Sequence, residues 1–399
     1  MQSTRNPARP PIAIWRNDCV EQMAAAFGDR SYIVIDVDSR YRFSAIHLFP
    51  SLILAARVFN QLKINFEPSK HDNRPSKSVS ERVRRCVFLL KRFVRAVLDV
   101  SIVLKIRPEL LITFTDNAER FHAIDQILHR MLPVITVQNG SRYYVERKVC
   151  GEGYTHFFNR PSFHSCFCSL GVIDTDMHRD YGWTIIESYP VGSISADFAL
   201  RRYDNTSLVE SQKENLEIFW VLNSDIFREN SVRLGFFLQS YAAQRKVKII
   251  AGIKLQKSGI RFDRYHREVV ARYGEFVSFS YNTERSENLG VALRSGVIVG
   301  SYSTLLREAF SFGKKIYPIN FGPREFDCHF DSLGLNFAPS QMEFNLTLDS
   351  LLAEPQHDYL KRMKQKIAHI GVFPQDIRPI ERLATVISAK LTNRTCSQS

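Results

Sequence analysis

Short apolar runs alternate along this chain with longer stretches in which apolar positions recur at helical spacing. The short runs lie at 31–37, 62–66, 110–114, 133–137 and 184–189, and again at 217–222, 247–253, 276–279, 297–299 and 315–319. The helical patterns between and after them include 43–60, 80–106, 117–131, 172–181, 342–352, 358–370 and 377–391. Short runs bounded by turn residues read as strands, and a 3.6-residue recurrence reads as helix. Strands separated by helices pair in parallel, which builds a doubly wound sheet. The alternation stops once, at 201–215 (RRYDNTSLVESQKEN), a polar stretch with no apolar period that reads as a linker. The pattern therefore predicts an α/β protein of two Rossmann-like doubly wound domains facing an interdomain cleft. Their boundaries are 1–200 for the N-terminal domain and 216–399 for the C-terminal one, which ends in helices.

Length agrees, since 399 residues exceed one typical domain and suit two. No apolar run approaches the roughly 20 residues that span a bilayer; the best, 48–59, is broken by Pro50 and Arg57. The N-terminus lacks the apolar centre of a signal peptide. Seven scattered cysteines, an odd number, argue against a complete disulfide framework and for a reducing cytoplasm.

The net charge of +13 is unevenly spread. Between Lys70 and Arg107 stand eleven Lys/Arg against three acids, Asp72, Glu81 and Asp99, a local balance of +8. Most of these cations fall on the predicted helix 80–106, where Val87, Phe88, Leu90, Val94, Val97, Leu98 and Ile102 recur on an apolar face. A basic amphipathic helix suits an anionic membrane surface, here through residues 80–107. A core helix with a solvated charged face explains the same pattern. Nucleic acid is disfavoured as a partner, because no zinc finger, RNP-like motif or helix-turn-helix is evident.

In doubly wound sheets ligands bind outside the carboxyl ends of the strands, so chemistry is sought there. Gly300-Ser301-Tyr302-Ser303-Thr304-Leu305-Leu306-Arg307-Glu308 follows the run Val297-Ile298-Val299 and opens a helical pattern ending near Gly313. Such a turn offers backbone N–H groups and the positive end of a helix dipole to a phosphate. Ser301, Ser303 and Thr304 add hydroxyls, and Glu308, about one turn on, is placed to accept from a ribose. Phosphate and ribose contacts together point to a sugar-nucleotide donor. Ordinary Ser/Thr helix capping accounts for part of the same motif. After 110–114 comes Thr115-Asp116-Asn117; Asp116 is a candidate general base, and Asp116 or Asn117 is equally a helix cap. After 133–137 comes Gln138-Asn139-Gly140-Ser141-Arg142, where Asn-Gly supports a tight turn and Gln138 and Arg142 are candidates for sugar hydroxyls and an anion. Asn223 and Ser224 end the first strand of the second half. Pro190-Val191-Gly192-Ser193 closes the first half and reads as a structural crossing. Cys166-Phe167-Cys168 fits a strand better than zinc, the usual ligand spacings being absent. Asp174 and Asp176 fit a helix start better than a metal-bound diphosphate. No metal site and no cofactor is expected.

Ile35-Asp36-Val37-Asp38-Ser39-Arg40, the Asp116-Asn117 pair, the Gln138-Asn139-Gly140 turn, the Pro-Val-Gly-Ser segment and the Ser303-Thr304…Glu308 helix start occur in a familiar order. Together they resemble the bacterial surface-carbohydrate (lipopolysaccharide and capsule) biosynthesis proteins of the GT-B glycosyltransferase type. The likeness spans about residues 35–320. It implies metal-independent transfer from a nucleotide-sugar donor, held mainly by the C-terminal half, to a glycan or lipid-linked acceptor held by the N-terminal half. It implies that Ser303 and Thr304 meet donor phosphate, Glu308 the ribose, and Asp116 the acceptor hydroxyl. Asn117, Gln138, Asn139, Gly140 and Arg142 would line the cleft, and Arg40 would touch the acceptor or an acidic sugar. A His-Pro pair often found with CMP- or CDP-linked donors is absent; the place reads Ala251-Gly252-Ile253-Lys254, which leaves Lys254 as the substitute cation. The expected location is cytoplasmic or peripheral on the inner membrane face. A CDP-polyol phosphotransferase, a nucleotide-sugar epimerase and a non-catalytic membrane-surface scaffold remain open beside the glycosyltransferase.

Overall fold

The computed structural model describes residues 12–15, 20–35, 45–58, 79–114, 119–140, 162–180, 182–203, 217–222, 228–254, 264–282, 285–301, 303–321, 336–371 and 377–397. The chain divides into two compact units, Met1–Val191 with Ile380–Ser399, and Gly192–Pro379.

The first unit runs β1 (Ile12–Trp15), α1 (Val20–Ala24), β2 (Tyr32–Ile35), α2 (Ala45–Arg57), α3 (Val79–Ile106), β3 (Leu111–Thr113), α4 (Glu119–Leu128), β4 (Val134–Val137), β5 (Phe163–Ser169), α5 (Val172–Asp180) and β6 (Thr184–Pro190). Its sheet has the order β2-β1-β3-β4-β5-β6, and every pairing is parallel. Strands buried on both faces need apolar residues at every position rather than at alternate ones. Hence β1 (IAIW) and β4 (VITV) are buried throughout. Ala96, Val97 and Val100 of α3 pack with Phe121 and Ile124 of α4 and with Trp15 in one core. Asp99, otherwise a buried charge, is held by Arg120 through Nε at 2.8 Å and Nη2 at 2.5 Å.

The second unit runs α6 (Ile194–Tyr203), β7 (Ile218–Val221), α7 (Arg228–Arg245), β8 (Ile249–Lys254), α8 (Arg264–Tyr273), β9 (Val277–Asn282), α9 (Arg285–Arg294), β10 (Val297–Gly300), α10 (Thr304–Ser311), β11 (Lys315–Asn320), β12 (Asn336–Phe337), α11 (Gln341–Ala353) and α12 (Gln356–Ile370). Its sheet, also all parallel, has the order β12-β11-β10-β7-β8-β9. Alternation along a strand sends successive side chains to opposite faces. Ile218 and Trp220 of β7 accordingly join Leu238, Tyr241, Tyr273 and Phe344. Phe219 and Val221 join Leu289, Leu306, Phe310 and Tyr359 on the other side. α11 starts with a capping box between Ser340 and Glu343. The last helix, α13 (Pro379–Ser397), returns to the first unit. There Ser388 Oγ accepts from Arg30 at 3.1 Å, and Lys390 donates to Glu187 at 2.6 Å.

Three expectations are corrected. Ile12–Trp15, not expected as a strand, lies second in its sheet, between β2 and β3. The unit boundary falls at Val191/Gly192 rather than after residue 200, because Ala196, Ala199 and Leu200 of α6 are buried against α9 in the second unit's core. The C-terminal helices do not all belong to the second unit. The expected strand at 62–66 and most of the expected linker, 204–215, lie outside the described residues.

Candidate functional site

In both sheets the strand order reverses at one place, between β1 and β3 in the first unit and between β7 and β10 in the second. Such switch points open a crevice at the carboxyl ends of the strands. In the second unit that place is the end of β10, where the Gly300–Glu308 motif begins.

Gly300 is required there by packing, since a Cβ at that position would stand 2.8 Å from Val221 Cβ of the neighbouring strand. Ser301 is buried. Ser303 takes extended backbone angles (φ −110°, ψ 131°) and its hydroxyl accepts from Leu305 N at 3.2 Å, so it is the N-cap of α10. The capping role is therefore occupied, and Thr304 is the first residue of the helix. Past the other end Gly313 turns left-handed (φ 77°). Gly313 N donates to Phe310 O at 2.8 Å and Lys314 N to Ala309 O at 3.1 Å. These are the two bonds of a Schellman stop. Both termini of the eight-residue helix are thus fixed by local chemistry.

Arg307 and Glu308 follow in that short helix, and both are buried. Arg307 donates from Nε (3.1 Å) and Nη2 (2.5 Å) to Ile370 O, at the end of α12. A cation is favoured at that helix C-terminus, so Arg307 ties α10 to α12. Glu308 Oε1 accepts from Ser193 Oγ at 2.8 Å. Ser193 Oγ also accepts from Ala196 N at 3.1 Å, which makes it the cap of α6. Just before it Gly192 is left-handed (φ 90°), where a side chain would be strained. Two segments singled out separately in the sequence, 190–193 and 300–308, thereby meet at one carboxylate.

In the first unit Gln138 does not reach outward as the sequence suggested. Its side chain is buried, with Nε2 donating to Gly140 O at 3.0 Å and to Asp174 Oδ1 at 2.8 Å. Its Oε1 accepts from Leu170 N at 2.9 Å. Asp174 Oδ2 accepts from Gly171 N at 2.9 Å, at the start of α5. Gln138 is therefore the knot joining the ends of β4 and β5 to α5, because a buried amide must satisfy its hydrogen bonds within the protein. Asn139 is half-buried and Gly140 buried. Cys166 and Cys168 lie on β5, both buried. Lys254 is the last residue of β8, in register with Asn282. Arg40, Asp116, Asn117, Arg142, Asn223 and Ser224 lie outside the described residues.

A feature not read from the sequence is the polar core around β5. His122, His164 and His178 are buried around Trp183. Ring centroids are 4.6 Å apart for His122–His164, 4.9 Å for His164–Trp183 and 4.1 Å for His178–Trp183. Burial, with His122 and His178 beside it, pushes the His164 imidazole well below its ordinary range. Nearby on α4 and β5, Asp125 accepts from Ser165 N at 2.9 Å and lies 2.5 Å from Ser165 Oγ. Burial raises its carboxyl to about 8, against these hydrogen bonds, which act to lower it. His122 and Asp125 stand three apart on α4, but His164 and His178 come from β5 and α5, 42 and 56 residues after His122, so no local spacing announced the cluster. Among the described residues no cluster of His, Cys, Asp and Glu is arranged to hold a metal.

No family model and no curated protein matches the sequence. Solved structures do match the fold. Trehalose 6-phosphate synthase from Burkholderia multivorans is 9% identical over 98% of each chain, with a TM-score of 0.52. A UDP-N-acetylglucosamine 2-epimerase is 12% identical over 97% of this chain and 96% of its own, at 0.53. S. aureus MnaA, solved with UDP, is 12% identical over 96% of each chain, at 0.51. At such identities the likeness is one of fold: two Rossmann-like doubly wound units of the GT-B type, shared with nucleotide-sugar enzymes.

Proposed function

We propose that this protein is a glycosyltransferase that takes a sugar from a nucleotide-activated donor, with the nucleotide held at the end of β10. The observation that carries the reading is the capped helix α10 at the strand-order switch, with Glu308 one turn inside it and hydrogen-bonded to Ser193. The N-terminus of α10 favours the leaving diphosphate, with Ser301, Ser303 and Thr304 beside it. In this reading the Glu308 carboxylate accepts from a ribose hydroxyl. Lys254, Asn223 and Ser224 complete the donor side in this reading. Asp116 is the base toward an acceptor hydroxyl in this reading, and Arg40, Asn117, Asn139, Gly140 and Arg142 serve the acceptor; Gln138 acts by shaping the loop. The acceptor is a glycan or a lipid-linked precursor of a surface polysaccharide, and the enzyme works at an anionic membrane face.

A second reading is favoured by the nucleotide-sugar epimerase among the fold neighbours: epimerisation of the sugar on the nucleotide, with no acceptor.

The test is nucleotide binding followed by thermal shift, using UDP, GDP, dTDP, CDP and CMP, since a ligand of the native state raises its stability. One nucleotide is expected to bind selectively. Glu308→Gln is expected to weaken it at least tenfold, the loss of about 1.4 kcal/mol that a charge-assisted hydrogen bond supplies. Unchanged affinity in a folded Glu308→Gln protein sinks the donor-site assignment. Turnover of the nucleotide sugar without acceptor selects the epimerase.

A further inference from the structure

The long basic helix is only half of an exposed surface. α2 and α3 pack on each other, and Leu48, Leu54 and Ala55 of α2 and Leu89, Phe93 and Ala96 of α3 all join the first unit's core. That arrangement satisfies the inner stripe of each helix and leaves a second apolar stripe on each. On α2 the outer stripe is Ile46 (81% exposed), Phe49 (69%), Leu52 and Ile53. On α3 it is Val83, Val87, Leu90 (62%) and Val94, separated by four, three and four residues and so aligned along one face. Scattered exposed apolar residues are ordinary, but contiguous ones mark an interaction site.

Charge decides what covers it. Residues 45–57 contain no acid, and neither do residues 82–98, which hold six Lys/Arg. Lys91 and Arg95 are exposed beside the α3 stripe. Arg92 lies over the Phe88 ring at 4.1 Å. A second copy of the chain fits poorly, since a two-fold contact through these acid-free windows would bring like charges such as Lys91 and Arg95 against their own counterparts. The apolar side chains stand out from the helices and need a medium that closes around them. A bilayer with anionic headgroups supplies both: acyl chains for the outer stripes, and phosphates for cations on long stems.

We infer that α2 and α3 together form a two-helix docking surface for an anionic lipid bilayer, with Ile46 and Phe49 entering the acyl boundary and Lys91 and Arg95 resting on headgroup phosphates. The inference deepens the membrane-face part of the proposed function but stands on the surface alone. Its test therefore makes no use of the donor site.

The experiment is co-sedimentation of the full chain with phosphatidylcholine vesicles, with and without phosphatidylglycerol, at two salt concentrations. Binding is expected only with the anionic lipid, and less at high salt. Ile46→Ser/Phe49→Ser is expected to reduce partitioning at least tenfold. Lys91→Gln/Arg95→Gln is expected to reduce it about fivefold per cation, the effect of roughly 1 kcal/mol each. Circular dichroism and an unchanged thermal unfolding midpoint show that the variants are folded, and neither readout depends on nucleotide, so failure here is separate from failure of the donor-site reading. In Phe49→Trp, quenching by lipids brominated on the acyl chain reports insertion directly. The inference is overturned by absence of vesicle binding, by equal binding to neutral vesicles, or by binding that both double variants leave intact. It is also overturned if the wild type is a dimer that Ile46→Ser/Phe49→Ser makes monomeric, or if an acidic polypeptide, and not the vesicle, is retained through the same residues.

Discussion

The two sheets share a parallel architecture and differ in what they bury. Around β5 the first unit encloses three imidazoles, the Asp125 carboxyl and the Gln138–Asp174 pair. Around β7 the second unit encloses Trp220, Tyr241, Tyr273 and Phe344, and among its described residues no histidine is buried. Its buried acid at the strand-order switch, Glu308, is part of the candidate site. The second unit also buries Lys314, whose amine burial lowers to about 8, which adds a pH slope only above that value; below about pH 8 the first unit's core is therefore the one whose energy depends on proton activity, while the second rests on close aromatic packing. Shape should matter most in the second unit, and pH in the first.

The largest effect expected tests the packing side. A Cβ at Gly235 of α7 would lie 2.7 Å from both the Trp220 and the Tyr273 rings. Those rings pack edge to face, with centroids 5.6 Å apart, and cannot both retreat. Gly235→Val is expected to destabilise the second unit by about 3 kcal/mol, the upper part of the range for overpacking. Denaturant unfolding followed by Trp220 fluorescence measures it. A loss below about 1 kcal/mol would mean that the aromatic layer is looser than described.

A smaller effect probes the buried carboxyl. The Asp125 pKa is raised in the fold to about 8, from the ordinary 3.8. The folded state therefore keeps its proton while the unfolded chain loses it, and this group's contribution falls as pH rises from about 4 to 8. Protonated, Asp125 donates to Ser165 Oγ, which in turn donates to Val134 O at 3.1 Å. Asparagine reproduces the neutral state. Asp125→Asn is thus expected to gain stability relative to the wild type as pH goes from 6 to 8, by on the order of 1 kcal/mol per unit. A gap independent of pH would show that the carboxyl is ionised in the fold.

How far the sequence carried the architecture depends on length scale. Parallel strands and covering helices left local signatures, so β3, β4, β7, β10, β11 and the helices around them were legible. β1 was not, because four apolar residues with no period do not declare a strand; only its pairing with β2 and β3 makes it one. The return of α13 to the first unit depends on contacts such as Lys390–Glu187, 203 residues apart, which no local pattern carries. At the site, the α10 start was legible because capping is local chemistry. The Ser193–Glu308 bond, 115 residues apart in sequence, was not. Gln138 was misread for a related reason: an amide at a strand end serves a ligand or a buried loop equally well until its partners Leu170 and Asp174 are in place.

The smallest effect expected belongs to His164. Its Nδ1 lies 3.1 Å from Thr136 Oγ1, and its ring is enclosed by His122 from α4, by Trp183, and by His178 from α5. With its pKa lowered in the fold, the imidazole stays neutral while the unfolded chain takes up a proton below about 6.5. The first unit should then lose stability as pH falls below 6.5, by at most about 1.4 kcal/mol per pH unit for each such imidazole, and above that pH this group should add no slope. Between 5 and 6.5 the slope opposes that of Asp125, so the wild type alone conceals both. His164→Phe keeps an aromatic ring in place and removes the titration. Opening free energies of β5 and α4, from amide exchange corrected for its intrinsic pH dependence, should differ less between pH 5.5 and 7.5 in this variant than in the wild type, while those of β7 and α7 in the second unit are unchanged in both proteins. An equal pH response in wild type and variant would move the proton-sensitive element from His164 to its neighbours His122 and His178. A response shared by β7 would end the contrast between the units.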